Sequence, residues 1–226
     1  IPATHPQKAL ALANLASAFD KQGNYDDSVK TYRRALEMYE AVRGPDHADV
    51  ADALHNLGTV LAASGHDDEA LKAYERALPI LEKEGDDPAL ASLLCDFGDS
   101  LIRKHDYARA EAFLQRSLAL GTKMHKDDPD LAFALTALGE LYTQTHRERD
   151  AGPLLERALV LRKADSVAPE DKASTELALA NLLWSSPASR PRARELAHVA
   201  QSRLEHAGLA QRKAQQDVAQ WIHSHE

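Results

Sequence analysis

Asp96-Phe97-Gly98 is the tripeptide with which protein kinases hold a magnesium ion, the aspartate carboxylate supplying the ligand. That chemistry also needs a glycine-rich loop over the phosphates and a separate catalytic loop, and neither accompanies it. The eleven histidines offer nitrogen ligands, most closely spaced at His223 and His225. Two histidines two apart on a helix point in different directions, and no paired Cys/His or His-Glu-x-x-His spacing supports a metal, so they read as solvated surface. Cys95, the single cysteine, has no base beside it in sequence and reads as a packed thiol rather than a nucleophile. Ser186-Pro187 offers a hydroxyl for phosphorylation, but the Ser/Pro-rich stretch 185–191 reads better as a plain helix-breaking turn. The acidic residues are spread along the chain without an acid/base pair. No enzyme activity, metal or cofactor is expected, which leaves recognition by hydrogen bonding and charge.

The bulk composition bounds what can be recognised. The 226 residues are 44% hydrophobic and 27% charged with only 10 Gly and 10 Pro, which suits an ordered helical protein rather than a disordered one. A formal charge of -8 argues against nucleic acid and anionic membrane as main partners, because both need a basic footprint. One cysteine excludes an internal disulfide and makes a reducing, cytoplasmic setting the simpler expectation. No apolar run approaches the length needed to span a bilayer, and the start at Ile1-Pro2 carries no signal-peptide pattern, from which a piece cut from a longer protein is expected.

Any recognition site must be positioned by repeated elements, because the chain superposes on itself. "ALANLASAFDKQGNYDDSVKTYRRAL" (11–36), "ALHNLGTVLAASGHDDEALKAYERAL" (53–78), "SLLCDFGDSLIRKHDYARAEAFLQRSL" (92–118) and "ALTALGELYTQTHRERDAGPLLERAL" (134–159) share one pattern. Each first half repeats an apolar triplet at gaps of three and four: Leu12/Leu15/Phe19, Leu54/Leu57/Leu61, Leu94/Phe97/Leu101 and Leu135/Leu138/Tyr142. That spacing predicts a helix with an apolar stripe. A small residue follows the second stripe member each time (Ala16, Gly58, Gly98, Gly139) and another stands in the second half (Ser28, Ala70, Ala110, Ala151), which predicts close approach of two helices. Gly23, Gly65, His105 and His146 mark hinges in the left-handed conformation. Asp87-Pro88 and Asp128-Pro129 read as helix caps followed by proline at the first helical position.

The pattern resembles the tetratricopeptide repeat in its long form of about 42 residues, as in kinesin light chains and many bacterial signalling proteins. The stretch 14–51, with its "GPDH" connector, carries the likeness almost without interruption. It implies an all-α fold, a right-handed α-solenoid of antiparallel helix pairs over residues 1–226, with repeats at about 5–46, 47–87, 88–128 and 129–170. A degenerate fifth copy at 171–207 keeps Leu179 and Leu182, and a helix over 209–225 places Ala214, Val218, Trp221 and Ile222 on one side as a cap.

The resemblance also implies a function: first helices line a concave face, which usually grips an extended peptide. The inward column is then Asn14, Asn56, Asp96, Ala137 and Asn181, flanked by Ser17, Lys21, Asp52, His55, Thr59, Asp99, Arg103, Phe133 and Glu140. Amides such as Asn14 and Asn56 donate and accept at once, which suits a peptide backbone. The carboxylate clamp of chaperone-binding members is broken, because Leu10 and Ser92 stand where it has lysines and Asp96 where it has arginine. Asp52, Asp96, Asp99 and Glu140 outnumber Lys21 and Arg103, so a neutral to basic protein or peptide partner is expected, an upstream domain of the same native chain among the candidates. The closing "QQDVAQWIHSHE" is similar to the ends of myxobacterial serine/threonine kinases, which implies a regulatory tail of such a kinase as a second reading. A receptor for a small signalling peptide is a third.

Overall fold

Apolar residues at gaps of three and four wind into helices, and each helix has one face to bury. The computed structural model describes residues 5–85, 87–125, 127–164, 166–205 and 211–225. Among them run α1 (Pro6–Lys21), α2 (Tyr25–Arg43), α3 (Ala48–Ala63), α4 (Asp67–Glu84), α5 (Pro88–Arg103), α6 (Tyr107–Met124), α7 (Leu131–Gln144), α8 (Glu148–Leu161), α9 (Pro169–Trp184), α10 (Arg190–Leu204) and α11 (Arg212–His225), with no strand among the described residues. They fall into two compact units that divide between Leu120 and Gly121. In the first, α1 pairs with α2, α3 with α4 and α5 with α6, while α2 packs on α3 and α4 on α5. In the second, α7 pairs with α8, α9 with α10, α8 packs on α9, and α11 lies against α10 and α9.

The small residues set the spacing within each pair. A Cβ added to Gly98 would stand 2.5 Å from Leu114 Cγ and 3.3 Å from the Ala110 carbonyl oxygen, and the Cβ positions of Gly58 and Gly139 run into Tyr74 and Leu155 in the same way. The first copy makes the same approach with Ala16, fully buried, whose carbonyl accepts from Ser28 Oγ at 2.8 Å. Ser117 Oγ likewise donates to the Ala91 carbonyl at 2.7 Å, tying α6 to α5.

All four expected hinges are left-handed, with φ of 72° at Gly23, 82° at Gly65, 61° at His105 and 57° at His146. Left-handed backbone costs a residue with a Cβ about 1–2 kcal/mol, more than the extra entropy a glycine loses on folding. His146→Gly is therefore expected to stabilise by about 0.5–1 kcal/mol and raise the melting temperature by roughly 1–4 °C. A calorimetric melt in which the variant unfolds earlier than the parent contradicts this.

Asp87 caps α5 as its sequence suggests, accepting from Ala89 N at 2.7 Å with Pro88 at the first helical position. The second Asp-Pro differs. Asp128 Oδ1 accepts from Asp130 N at 2.9 Å, a local turn that spends Pro129 before the helix, so α7 starts at Leu131. In the fifth copy the Ser/Pro stretch forms a short 3-10 turn at Pro187–Ser189, and α10 begins at Arg190 with Pro191 in its first turn, where a missing N–H is harmless. The last helix begins at Arg212; residues 209 and 210 lie outside the described residues. Its Val218 and Trp221 are buried, with Ala214 and Ile222 partly so, against Ala173, Ala180, Ala197, Ala200 and Leu204.

Candidate functional site

In the first unit, Asn14, Asn56 and Asp96 stand on α1, α3 and α5 at matching places in three successive copies. Asp96 is fixed from one side. His55 Nε2 donates to its Oδ2 at 2.9 Å, and Thr59 Oγ1 lies 3.0 Å from the same oxygen. Beneath them Tyr74 fills the gap left by Gly58, its ring 6.1 Å from that of His55 and 5.7 Å from that of Phe97. Burial pushes the Tyr74 phenol well above its ordinary range, with the Asp96 charge adding to the rise, so it stays a neutral donor. Asp96-Phe97-Gly98 is thus mid-helix, with Phe97 and Gly98 spent on packing.

The site residues expected from sequence separate into two groups. Towards the hinge, Asp99 pairs with Arg103, and Arg103 Nε also donates to Asp67 Oδ1 at 2.8 Å and one of its terminal nitrogens to Ser100 Oγ at 2.8 Å. Lys104 meets Asp68 at 2.8 Å just beyond. These charges are consumed within the protein. Ser17 is turned to the Tyr32 hydroxyl, and Lys21 is exposed in the last turn of α1 beside Asp20. Farther up the helices the position is reversed: Asn14, Asp52 and Asn56 are exposed and make no side-chain hydrogen bond among the described residues, nor does Asp96 Oδ1. Partial loss of hydration pushes the carboxyl of the exposed Asp52 above its usual range, with the nearby His55 pulling the other way. A carboxylate held at such a cost gains from an arriving cation.

In the second unit, Phe133 is 44% exposed and its ring lies 4.6 Å from the guanidinium carbon of the buried Arg162, a contact no local pattern predicts. Arg162 also donates to Thr175 Oγ1 at 2.7 Å and to the Asp171 carbonyl. Glu140 is half-buried on α7 and Ala137 is buried. Asn181 accepts from Trp221 Nε1 at 2.6 Å, so α11 uses up the fifth member of the inward column. His225 stacks on Trp221 with ring centroids 4.3 Å apart and bonds the Trp221 carbonyl at 2.6 Å.

A ladder of ion pairs that no single copy's pattern predicts joins successive second helices. Arg33 meets Glu69 at 2.6 Å and Glu40 meets Arg76 at 2.5 Å between α2 and α4. Glu75 meets Arg109 at 3.3 Å and Glu82 meets Arg116 at 2.5 Å between α4 and α6. Arg192 and Glu156 join α10 to α8 at 2.7 Å. The signal was present as opposite charges 34 or 36 residues apart. Each exposed pair stabilises by only about 0.2–1 kcal/mol, but together they commit the charges of the second helices to the stack.

No helix among the described residues is long and apolar enough to cross a membrane. Residues 4–83 and 85–164 each match the family model described as Tetratricopeptide repeat. No curated protein matches the sequence. Among solved structures, the chain is similar to a Podosopora anserina protein described as a kinesin light chain with nearly identical TPR-like repeats, at 17% identity and a TM-score of 0.68 over 88% of this chain and 96% of that one. It is similar to BtubC (BKLC) from P. vanneervenii at 22% identity and a TM-score of 0.68, over 85% and 78% of the two chains. The Cut9–Hcn1 hetero-tetramer of the APC/C gives a TM-score of 0.75 at 17% identity, over 98% of this chain and 37% of that one. At such identities the likeness is one of fold.

Proposed function

Because the chain belongs to the tetratricopeptide repeat family, we propose that it is a non-catalytic, cytoplasmic interaction scaffold, working as one solenoid, that grips an extended segment of a partner protein along α1, α3 and α5. One observation carries this reading: Asn14, Asp52, Asn56 and Asp96 Oδ1 are without side-chain partners among the described residues, while the neighbouring Asp99 and Arg103 are paired. Two amides at matching places in successive copies suit the alternating N–H and C=O groups of an extended backbone. Asp52 and Asp96 call for a neutral to basic side chain between them. Protein partnership agrees with the general use of the family's fold, and one structure of that fold, Cut9–Hcn1, is itself a complex of two proteins.

The reading is tested by selecting binders from a displayed library of random linear peptides and measuring them by calorimetry. The selected peptides are expected to carry lysine or arginine. Each charged hydrogen bond lost costs about 1.5–3 kcal/mol, so Asp52→Lys with Asp96→Lys should weaken binding well over tenfold. Asn56→Ala should weaken it less, a neutral contact being worth about 0.5–1.5 kcal/mol. Asp99→Asn should act on stability through Arg103 and leave affinity nearly unchanged. Peptides that lack cations and ignore the double reversal, yet are lost on substituting exposed residues of α2 and α4, overturn the assignment.

A further inference from the structure

One base stands beside two acids in the first unit, and the repeat makes this arrangement once. On α3, Asp52 and His55 are three residues apart and so share a helical face. On α5, Asp96 stands across from them, with Oδ2 2.9 Å from His55 Nε2. The places that match His55 in the other clear copies hold Ala13, Cys95 and Thr136, and those that match Asp52 hold Leu10, Ser92 and Phe133. No other of these copies can set a side chain that titrates near neutral pH against a pair of carboxylates.

The surroundings of His55 are acidic. Its side chain is 14% exposed, so the ring is largely out of water. Asp52 interacts with it and takes further negative field from Asp49 and Asp87. On the α4 side the ring meets Tyr74, whose phenol stays neutral. On the α2 side Tyr39 and Arg43 lie towards Asp49, with Arg43 3.3 Å from its carboxylate. On α1 the uncharged Asn14 stands at the matching level, and Lys21 is seven residues farther on. Arg103 of α5 is held by Asp99 and Asp67. Neither Asp52 nor Asp96 is paired with a lysine or arginine among the described residues, and His55 is the base that serves both.

Resting on the reading above, in which Asp52 and Asp96 hold a cationic side chain of the partner, we propose that His55 makes this grip proton-dependent: the protonated imidazole is the internal counter-ion of the site, and the partner's cation takes the place of its proton. Neutral His55 donates its Nε2–H to Asp96 and leaves both carboxylate charges for the partner. Protonated His55 cancels one of them and repels an arriving lysine or arginine. The Nε2–H bond to Asp96 is made in both states, so the change is one of charge rather than of shape. Proton and cation compete for the same field, and by linkage each weakens the other by the same factor. Histidine changes charge between about pH 5 and 8, so the grip tightens as the pH rises through that range.

The probe is a selected peptide with blocked ends and with lysine or arginine as its only titrating side chains, measured by calorimetry against the full chain. Affinity is expected to be about tenfold or more weaker at about pH 5.5 than at about pH 8, within the roughly 5–150-fold span of typical couplings. Near about pH 6.5 the measured enthalpy should differ between phosphate and imidazole buffers, because binding releases protons to the buffer. His55→Gln keeps an N–H for Asp96 but does not titrate, and it should flatten both effects. His55→Lys, charged throughout this range, should bind weakly at both ends of it. Circular dichroism checks that the variants remain helical; should His55→Gln not fold, the buffer comparison on the parent chain decides alone. Equal affinity of the parent at both ends of the range, no proton release, or a pH dependence that survives His55→Gln overturns the proposal while leaving the grip in place. A peptide that binds regardless of Asp52→Lys with Asp96→Lys, or a selection that yields no cationic peptide, overturns the grip itself and this proposal with it.

Discussion

A chain that stops at Gly208 is expected to melt about 10 °C or more below the full chain and to aggregate as it does so. Burial of Val218, Trp221 and Ile222 against α9 and α10 stabilises by about 1.5–3 kcal/mol for each fully buried side chain, before the entropy of ordering α11 is subtracted. Without α11, Ala173, Leu177, Ala180, Ala197, Ala200 and Leu204 become a bare apolar edge of the kind that associates. Both tryptophans of the sequence sit at this junction, Trp184 and Trp221 having ring centroids 5.5 Å apart, so the remaining Trp184 should emit at longer wavelength in the truncated chain. Trp221→Ala alone should cost about 3–5 kcal/mol, since it opens a cavity and leaves Asn181 without its donor. An unchanged melt with a soluble monomer removes the capping role.

Gly98→Val should be nearly as damaging from the middle of a helix. A Cβ there already meets Leu114 at 2.5 Å and the Ala110 carbonyl at 3.3 Å, and the second obstacle is backbone that cannot turn aside. Overpacking of this kind costs about 3 kcal/mol at the upper end of its usual range, which lowers the melting temperature by roughly 6–12 °C. The cause is checked by a cycle with Leu114→Ala, which removes the first obstacle at its own cost of about 2–5 kcal/mol. The double variant should be more stable than the sum of the singles predicts by about 1 kcal/mol or more. Strict additivity contradicts the packing explanation.

Helix pairing was legible because the repeat states it four times: an apolar triplet, a small residue and a left-handed hinge recur at fixed offsets, and even His105 and His146, which lack the usual glycine, take positive φ. The start of α7 differs from its expected place because Asp-Pro serves both as a cap and as a turn, and only the Asp128 side chain's choice of Asp130 N distinguishes them. The site was less legible. Asp96 and Asp99 look alike in sequence, yet one keeps an oxygen without a partner while the other is bound to Arg103, which in turn reaches Asp67 some 36 residues away. Phe133 was an inward candidate by position, but its face meets Arg162, whose burial nothing in a local pattern foretells. Periodicity fixes which helices meet, whereas side-chain pairing depends on reach across neighbouring copies.

If α1, α3 and α5 carry the binding face, the side-chain amides there report on it directly. Among the four asparagines of the sequence, Asn14 and Asn56 lie on this face, Asn24 caps α2 and Asn181 holds Trp221. A proton–nitrogen correlation spectrum of the labelled chain, titrated with a selected cationic peptide, should show the side-chain amide signals of Asn14 and Asn56 moving with saturation while those of Asn24 and Asn181 stay in place. Signals of Asn14 and Asn56 that remain fixed at saturation, with the changes gathered on α2, α4 and α6, would contradict the account.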